Sequence, residues 1–405
     1  MQGDRLQQLI ANLCPQGVPY KRVRDVYKRL KGTPITASKM KEISTPNGEI
    51  RVFAGGKTAI NAHKSDIPTA NIIYRPAVLV QSRGIIDVIY YNKPFTFKNE
   101  MWAYYADDQV STKFLFYILK NNIQTFREAA SGMGSLPQIS LSVTEDFLIP
   151  VPPLEIQQEI VRILDHFTEL TAELTAELTA RKEQYKYYSL SLINHAVDIK
   201  EVPIRSLGTW RGGCTPSMEN SAFWSDGNIP WVSSKDMKAP LLVDTQDHIT
   251  QEALSQTSIK LLPKNTVAIV ARSGILKHTL PVVFIPFETT VNQDIKALTA
   301  AQNIEPRYAY HVLNANSGNI LQRTKKQGGT VDSLDIQKFM NYLVPVPPLP
   351  EQRRIVSILD RFDALCNDLT SGLPAEIAAR QKQYEYYRDK LLTFKEKSSD
   401  SFRGE

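Results

Sequence analysis

Two short segments carry side chains suited to reaching out of a fold and gripping a hydrogen-bonding or anionic partner. Ser82-Arg83-Gly84 and Arg272-Ser273-Gly274 follow the apolar runs Ala77-Val78-Leu79-Val80-Gln81 and Thr266-Val267-Ala268-Ile269-Val270. Both runs read as buried strands. A charged residue beside glycine at a strand end projects easily, and arginine forks onto phosphates and guanine edges. Thr324-Lys325-Lys326-Gln327-Gly328-Gly329-Thr330 pairs two cations with flexible glycines; its counterpart, Ser131-Gly132-Met133-Gly134-Ser135, keeps the glycines and lacks the cations. Gly55-Gly56-Lys57 and Ser234-Lys235-Asp236 are weaker versions of the pattern. The candidate contact residues are Lys57, Arg83, Lys235, Arg272, Lys325, Lys326 and Gln327. The plain alternative at each is a solvated charged loop.

No bond-making chemistry accompanies them. The sequence has no GxxxxGK[ST] phosphate loop and no HExxH, and its six histidines are scattered. Cys14, Cys214 and Cys366 stand far apart with no CxxC spacing, so neither a disulfide framework nor a zinc site follows. Asn92-Lys93-Pro94-Phe95 resembles the Asn-Pro-Pro-Phe motif of amino-methyltransferases, which holds a target amine against the methyl donor. Here lysine replaces the first proline, and no glycine-rich donor-binding turn stands at a suitable distance, so a hairpin turn is the reading taken. Trp224 and Trp231 read as core. The chain is expected to have no active site and to bind no metal or cofactor itself.

The elements that position these residues are announced by a repeat. Val151-Pro152-Pro153-Leu154 through Phe167 returns as Val346-Pro347-Pro348-Leu349 through Phe362, with eleven of seventeen positions identical. Arg181-Lys182-Glu183-Gln184-Tyr185-Lys186-Tyr187-Tyr188 returns as Arg380-Gln381-Lys382-Gln383-Tyr384-Glu385-Tyr386-Tyr387. A period near 200 residues is a duplicated module rather than a solenoid, so internal pseudo-two-fold symmetry is expected. In the first copy, Ile156, Ile160, Ile163, Leu164, Phe167, Leu170, Leu174 and Leu178 fall at steps of three and four, one stripe on a helix. No glycine or proline interrupts 154–196. The second copy carries the same stripe and breaks at Ser371-Gly372-Leu373-Pro374. Two long stripes without another partner are expected to pack as an antiparallel pair. Leu170, Leu174, Leu178, Tyr185, Tyr188, Tyr384 and Tyr387 are the candidates for helix packing or partner docking, and sequence alone leaves those two roles open.

Inside the first helix, Thr171-Ala172-Glu173-Leu174 repeats as Thr175-Ala176-Glu177-Leu178. Such units form a ruler whose length can change without spoiling the stripe. Between Phe167 and Arg181 lie 13 residues, and between Phe362 and Arg380 lie 17, a difference of one unit. The regions 1–150 (with a short N-terminal helix) and 200–345 read as two compact α/β domains, 151–199 and 346–397 as helical spacers, and 398–405 as a flexible tail. Leu9-Ile10-Ala11-Asn12 followed by Val18-Pro19 echoes Leu192-Ile193-Asn194-His195 followed by Val202-Pro203, so the arrangement looks circularly permuted with its ends together. The chain has 405 residues and a net charge of +6, a mildly basic balance that permits nucleic-acid binding without demanding it. No stretch matches a signal peptide or a membrane span, and a cytoplasmic protein is expected.

Two α/β domains on two helical spacers, with Pro-Pro-Leu-x-x-Gln-x-x-Ile repeated, resemble the specificity subunit of type I restriction–modification systems. The Thr-Ala-Glu-Leu units and Arg-x-x-Gln-Tyr-x-Tyr-Tyr resemble its type IC branch. Gly212-Gly213-Cys214-Thr215-Pro216-Ser217, Gly227-Asn228-Ile229-Pro230-Trp231-Val232 and Asn292-Gln293-Asp294 carry the likeness into the second domain. The resemblance implies an α+β fold in which each domain, a target recognition domain, reads one half of a bipartite site on double-stranded DNA. It implies helices that set the gap and dock two modification subunits, which bring S-adenosylmethionine and methylate adenine. Motor-nuclease restriction subunits, with ATP and Mg, join these, and the chain has no membrane partner. A helical scaffold blind to sequence is the competing expectation.

Overall fold

The computed structural model describes residues 2–131, 136–326, 331–368 and 371–397. They form two compact units: Met1–Ala172 with Ala379–Glu405, and Glu173–Ala378. Packing thus divides the chain inside the helical spacers rather than at their ends. The proposed tail, 398–405, lies outside the described residues.

The units repeat one topology. In the first, Lys28–Lys31, Trp102–Tyr105, Ala77–Gln81 and Asp87–Tyr91 lie in that order in an antiparallel sheet. A second sheet orders Ala59–Ala62, Ile50–Phe53 and Phe95–Phe97, its first pair antiparallel and its second parallel. The ribbon Tyr20–Arg22 with Leu148–Pro150 joins the segments that enter and leave this body. In the second unit the four-stranded order is Gly208–Gly212, Ile295–Ala300, Thr266–Val270 and Val282–Ile285. Its three-stranded sheet orders Asp247–Ile249, Ile229–Val232 and Thr290–Val291, and its ribbon pairs Lys200–Pro203 with Leu343–Val346. Ala77–Gln81 and Thr266–Val270 are buried at every residue, which explains their unbroken apolar sequence.

Asn92–Pro94 is not a hairpin turn. Asp87–Tyr91 belongs to the four-stranded sheet and Phe95–Phe97 to the three-stranded one, where it pairs with Ile50–Phe53. The turn therefore passes the chain between sheets. Local turn chemistry looks the same either way; only the pairing differs.

The first spacer is one helix, Leu154–Asn194, of 41 residues, about 60 Å at 1.5 Å per residue. Ile156, Ile160 and Leu164 are fully buried, whereas Leu170, Leu174 and Leu178 are half-buried. The second spacer is two helices, Leu349–Asn367 and Leu373–Leu391. The longer of the two spacers is thus the interrupted one. Each spacer starts with a buried glutamine reaching back to the proline pair: Gln157 Nε2 donates to the Pro152 carbonyl at 2.8 Å and Gln352 Nε2 to the Pro347 carbonyl at 2.9 Å. That bond is the physical content of Pro-Pro-Leu-x-x-Gln. In the second unit, the Val197 backbone meets Glu351, Tyr188 stacks on Phe362, and Lys182 and Arg181 act on Cys366. One partner number rises as the other falls, so the two segments run antiparallel. In the first unit the repeat-equivalent stack joins Phe167 to Tyr387 at 5.6 Å.

A spacer carboxylate ties each α/β body to its helix. Asp165 accepts from Tyr117 Oη at 2.5 Å and Lys113 Nζ at 2.7 Å, both on the helix Gln109–Asn121. Its repeat-equivalent, Asp360, accepts from His311 Nε2 at 2.7 Å and Arg307 Nη2 at 2.6 Å on the helix Pro306–Ala315. Arg307 also reaches Asp363 at 3.2 Å, and Tyr185 Oη lies 3.1 Å from His311 Nδ1. With the Asp360 bond made by Nε2–H, Nδ1 is left to accept from the tyrosine. The chain termini meet as expected: Val18 N donates to the Lys395 carbonyl and Lys397 N to the Val18 carbonyl, each at 2.9 Å. The N-terminal helix Gln2–Leu13 shares the first core with Leu392 and Phe394.

Asp360→Ala leaves the half-buried Arg307 with only Asp363 as a described carboxylate partner and the buried His311 with Tyr185 alone. The variant is expected to lose about 2–4 kcal/mol in denaturant unfolding, and a loss below about 1 kcal/mol on the same scale counts against the clamp. Burial also depresses the His311 pKa, against the opposing bond to Asp360. The unfolded chain therefore takes up that proton first as pH falls. Stability is full above about pH 6.5 and declines below it. His311→Gln is expected to remove this part of the decline when unfolding is compared between about pH 7.5 and about pH 5.5; an identical decline in both proteins sinks the assignment.

Candidate nucleic-acid interface

In the second unit, loops following several strands converge on Asn292-Gln293-Asp294. Asn292 N donates to the Val232 carbonyl at 2.9 Å, and Gly213 N to the Asn292 carbonyl at 3.3 Å. Ala271 N and Arg272 N both donate to the Asp294 carbonyl, at 2.7 and 3.2 Å. A Cβ at Gly213 would sit 1.5 Å from the Val291 carbonyl oxygen, so only glycine permits this approach. Trp224 and Trp231 pack edge to face at 5.1 Å within a small core, as expected. Their indole N–H groups also brace the glycine loop, donating to the Ser217 and Cys214 carbonyls.

On this frame stand exposed polar side chains. Arg272 is 63% exposed and held by Asp294, Nε to Oδ1 at 3.4 Å. Gln293 is exposed, and its Oε1 accepts from Thr215 Oγ1 at 2.7 Å. Lys235 is 66% exposed and 3.7 Å from Asp247; the neighbouring Asp236 is buried, accepting from Ser233 N, Ser233 Oγ and Gln246 N. Lys325 lies deeper, with its ammonium engaged by Asp332 at 2.9 Å and the Leu276 carbonyl at 3.1 Å. Lys326 is exposed. Gln327 and the following glycines, like the 132–135 segment of their counterpart, lie outside the described residues.

The first unit assembles an equivalent cluster. Gly56 N donates to the Arg83 carbonyl at 3.2 Å, Gln81 Nε2 donates to the Gly56 carbonyl, and Ser82 Oγ donates to the Glu100 carbonyl. The Lys57 and Arg83 segments, read separately in the sequence, are thus brought together. Gly84 takes φ +79°, a backbone state that suits glycine. Arg83 and Lys57 are exposed, and among the described residues neither pairs with a carboxylate. Lys98 is bound to Glu100 at 3.0 Å. Lys41, exposed at the rim of a cavity of ≈ 690 Å³ with Arg83, Gly55 and Gly56, was missed in the sequence. It lies on a helix remote in sequence from the glycine signals.

The spacer tyrosines divide by face. Tyr185 and Tyr384 pack half-buried against the two main cores. Tyr187, Tyr188, Tyr386 and Tyr387 remain 69, 45, 62 and 38% exposed.

The family described as type I restriction modification DNA specificity domain matches this chain twice, over residues 15–183 and 196–379. The chain belongs to that family. A relative, the type I restriction enzyme EcoR124I/EcoR124II specificity subunit of Escherichia coli, is 44% identical over 294 residues, 71% of this chain and 72% of the relative. The crystal structure of a type I restriction–modification system S subunit from M. genitalium superposes with a TM-score of 0.59 at 16% identity, covering 93% of this chain and 96% of that one. A chain from a structure on complex assembly and conformational transition of the type I R-M system gives 0.57 at 15% identity, covering 93% and 97%. At such identities the structural likeness bears on fold alone. As a member of the specificity family, the chain has the role of a DNA sequence-specificity subunit. None of the described helices is long and apolar enough to cross a membrane.

For a specificity subunit in which Arg83 is exposed at a strand end, Arg83→Ala is expected to weaken binding to the preferred DNA by about 1–3 kcal/mol. The melting temperature should stay unchanged. Binding and melting of the assembled complex check both; a lowered melting temperature with unchanged DNA preference would make Arg83 structural.

Proposed function

We propose that each α/β body reads one half of a bipartite double-stranded DNA site through its strand-end loops, while the spacer helices set the gap. The observation that carries this reading is one topology used twice with different exposed side chains: Lys57 and Arg83 in one unit; Lys235, Arg272 and Gln293 in the other. A repeated frame with unlike loop residues suits two unlike half-sites. Arginine and lysine position the phosphate backbone, while arginine and glutamine are suited to guanine and adenine edges. The exposed spacer tyrosines are assigned to two modification subunits, which carry S-adenosylmethionine and transfer its methyl group to adenine. Motor-nuclease subunits using ATP and Mg complete the restriction form. This chain does the reading and none of the chemistry, in the cytoplasm. The tandem Thr-Ala-Glu-Leu units support the type IC branch.

Methylome sequencing of a methylation-free host tests the reading directly. The chain expressed with its modification subunit is expected to yield a bipartite adenine-methylated motif that vanishes when the chain is omitted. Deleting Thr175–Leu178 is expected to shorten the gap and leave both half-sites unchanged. A complex that assembles and adds no methylation overturns the proposal.

A further inference from the structure

The two units differ in the connection that follows the buried central strand. In the first, five residues, Ser82 to Ile86, separate Gln81 from Asp87. In the second, eleven residues, Ala271 to Pro281, separate Val270 from Val282. The extra residues form the turn Gly274–Lys277 and continue through His278 and Thr279. They line a cavity of ≈ 660 Å³ together with Gln322, Lys325, Lys326 and Asp332. Lys277, His278 and Lys326 are exposed. Asp332, the one acid of this lining, is already neutralised by Lys325. Lys325 also anchors the turn through the Leu276 carbonyl. Lys277 and Lys326 thus face solvent with no carboxylate partner among the described residues. The inserted turn is continuous with the Arg272 loop, since Ser273 N donates to the Asp332 carbonyl at 3.0 Å. In the first unit the shorter connection carries no lysine. Of its acidic neighbours, Asp87 is tied to Lys120 at 2.5 Å and Glu100 to Lys98 at 3.0 Å.

We propose that Lys277 and Lys326, held by the Lys325–Asp332 pair, form a phosphate clamp that grips the DNA backbone beside the half-site of the second unit. The first unit lacks it. The clamp rests on the DNA-reading function proposed above. Lysine is a flexible point charge with no preferred base edge, and the cavity offers hydrogen-bond donors without a fixed planar fork. Both features suit a phosphodiester rather than a base. The second unit therefore gains salt-dependent, sequence-blind grip at a place where the first has no equivalent lysines.

The test uses the complex with its modification subunits and the double variant Lys277→Gln/Lys326→Gln. Affinity for the methylated site and for an unrelated duplex is measured across salt concentrations. Each lost phosphate contact removes about 0.9 from the salt slope, so the slope is expected to fall by about two. Between about 50 and 200 mM salt the wild-type advantage should shrink by about tenfold. Both duplexes should weaken alike, and the methylated motif should stay the same. Inorganic phosphate at constant ionic strength should not compete. An unchanged slope overturns the clamp, as does a changed base preference or displacement by inorganic phosphate. Sequence-selective binding by the wild-type complex separates this failure from failure of the underlying function: its absence would sink both.

Discussion

The arrangement depends on one kind of interaction, a spacer carboxylate engaged by two donors one helical turn apart on the α/β body. Asp165 holds Lys113 and Tyr117; Asp360 holds Arg307 and His311. The Arg83 and Arg272 loops follow strands of the four-stranded sheets that pack on those donor-bearing helices, so this bond fixes their orientation against the spacer. A hydrophobic seam alone would resist separation but tolerate sliding, because apolar contacts carry little direction. A charge-assisted bond supplies the direction. The Gln157 and Gln352 bonds to the proline pairs do the same at the start of each spacer.

The two clamps are equivalent in place and different in chemistry. In the second unit burial raises the cost of ionising Asp360, yet hydrogen bonds from His311 and Arg307 outweigh it and hold the pKa below the ordinary value. His311 is buried and pushed the other way from a free cation, towards the neutral ring. The same frame thus accepts Lys–Tyr or Arg–His so long as one donor is cationic. The loops show the same tolerance: Asp294 restrains Arg272, whereas Arg83 has no carboxylate partner among the described residues, although both follow the equivalent strand. A rigid frame with variable tips lets one topology serve two recognition tasks.

Much of this was readable from residue order. The apolar period of three and four placed the spacer helices, Ser371-Gly372-Leu373-Pro374 marked the break, and unbroken apolar runs marked the central strands. The glycine-flanked cations were found because glycine leaves a local signature. Lys325 shows the limit: its sequence context matches that of Lys326, yet an aspartate seven residues on turns it inward. Lys41 and Lys277 were missed because neither stands in the glycine-flanked patterns from which the candidates were drawn. The turn at Asn92 was read as a hairpin because turn residues do not reveal which sheet receives the next strand.

The sequence by itself determined the duplication, the helical period, the strand cores and the absence of familiar catalytic motifs, since these are local or repeated patterns. Only the tertiary structure decided that the Lys57 and Arg83 loops are neighbours. It alone showed that Gln293 is oriented by Thr215, and that Tyr185 and Tyr384 turn inward while Tyr187 and Tyr386 face out. These depend on contacts between residues far apart in the chain, and on which face of a helix is covered. Such facts come into being when the sheets and spacers pack.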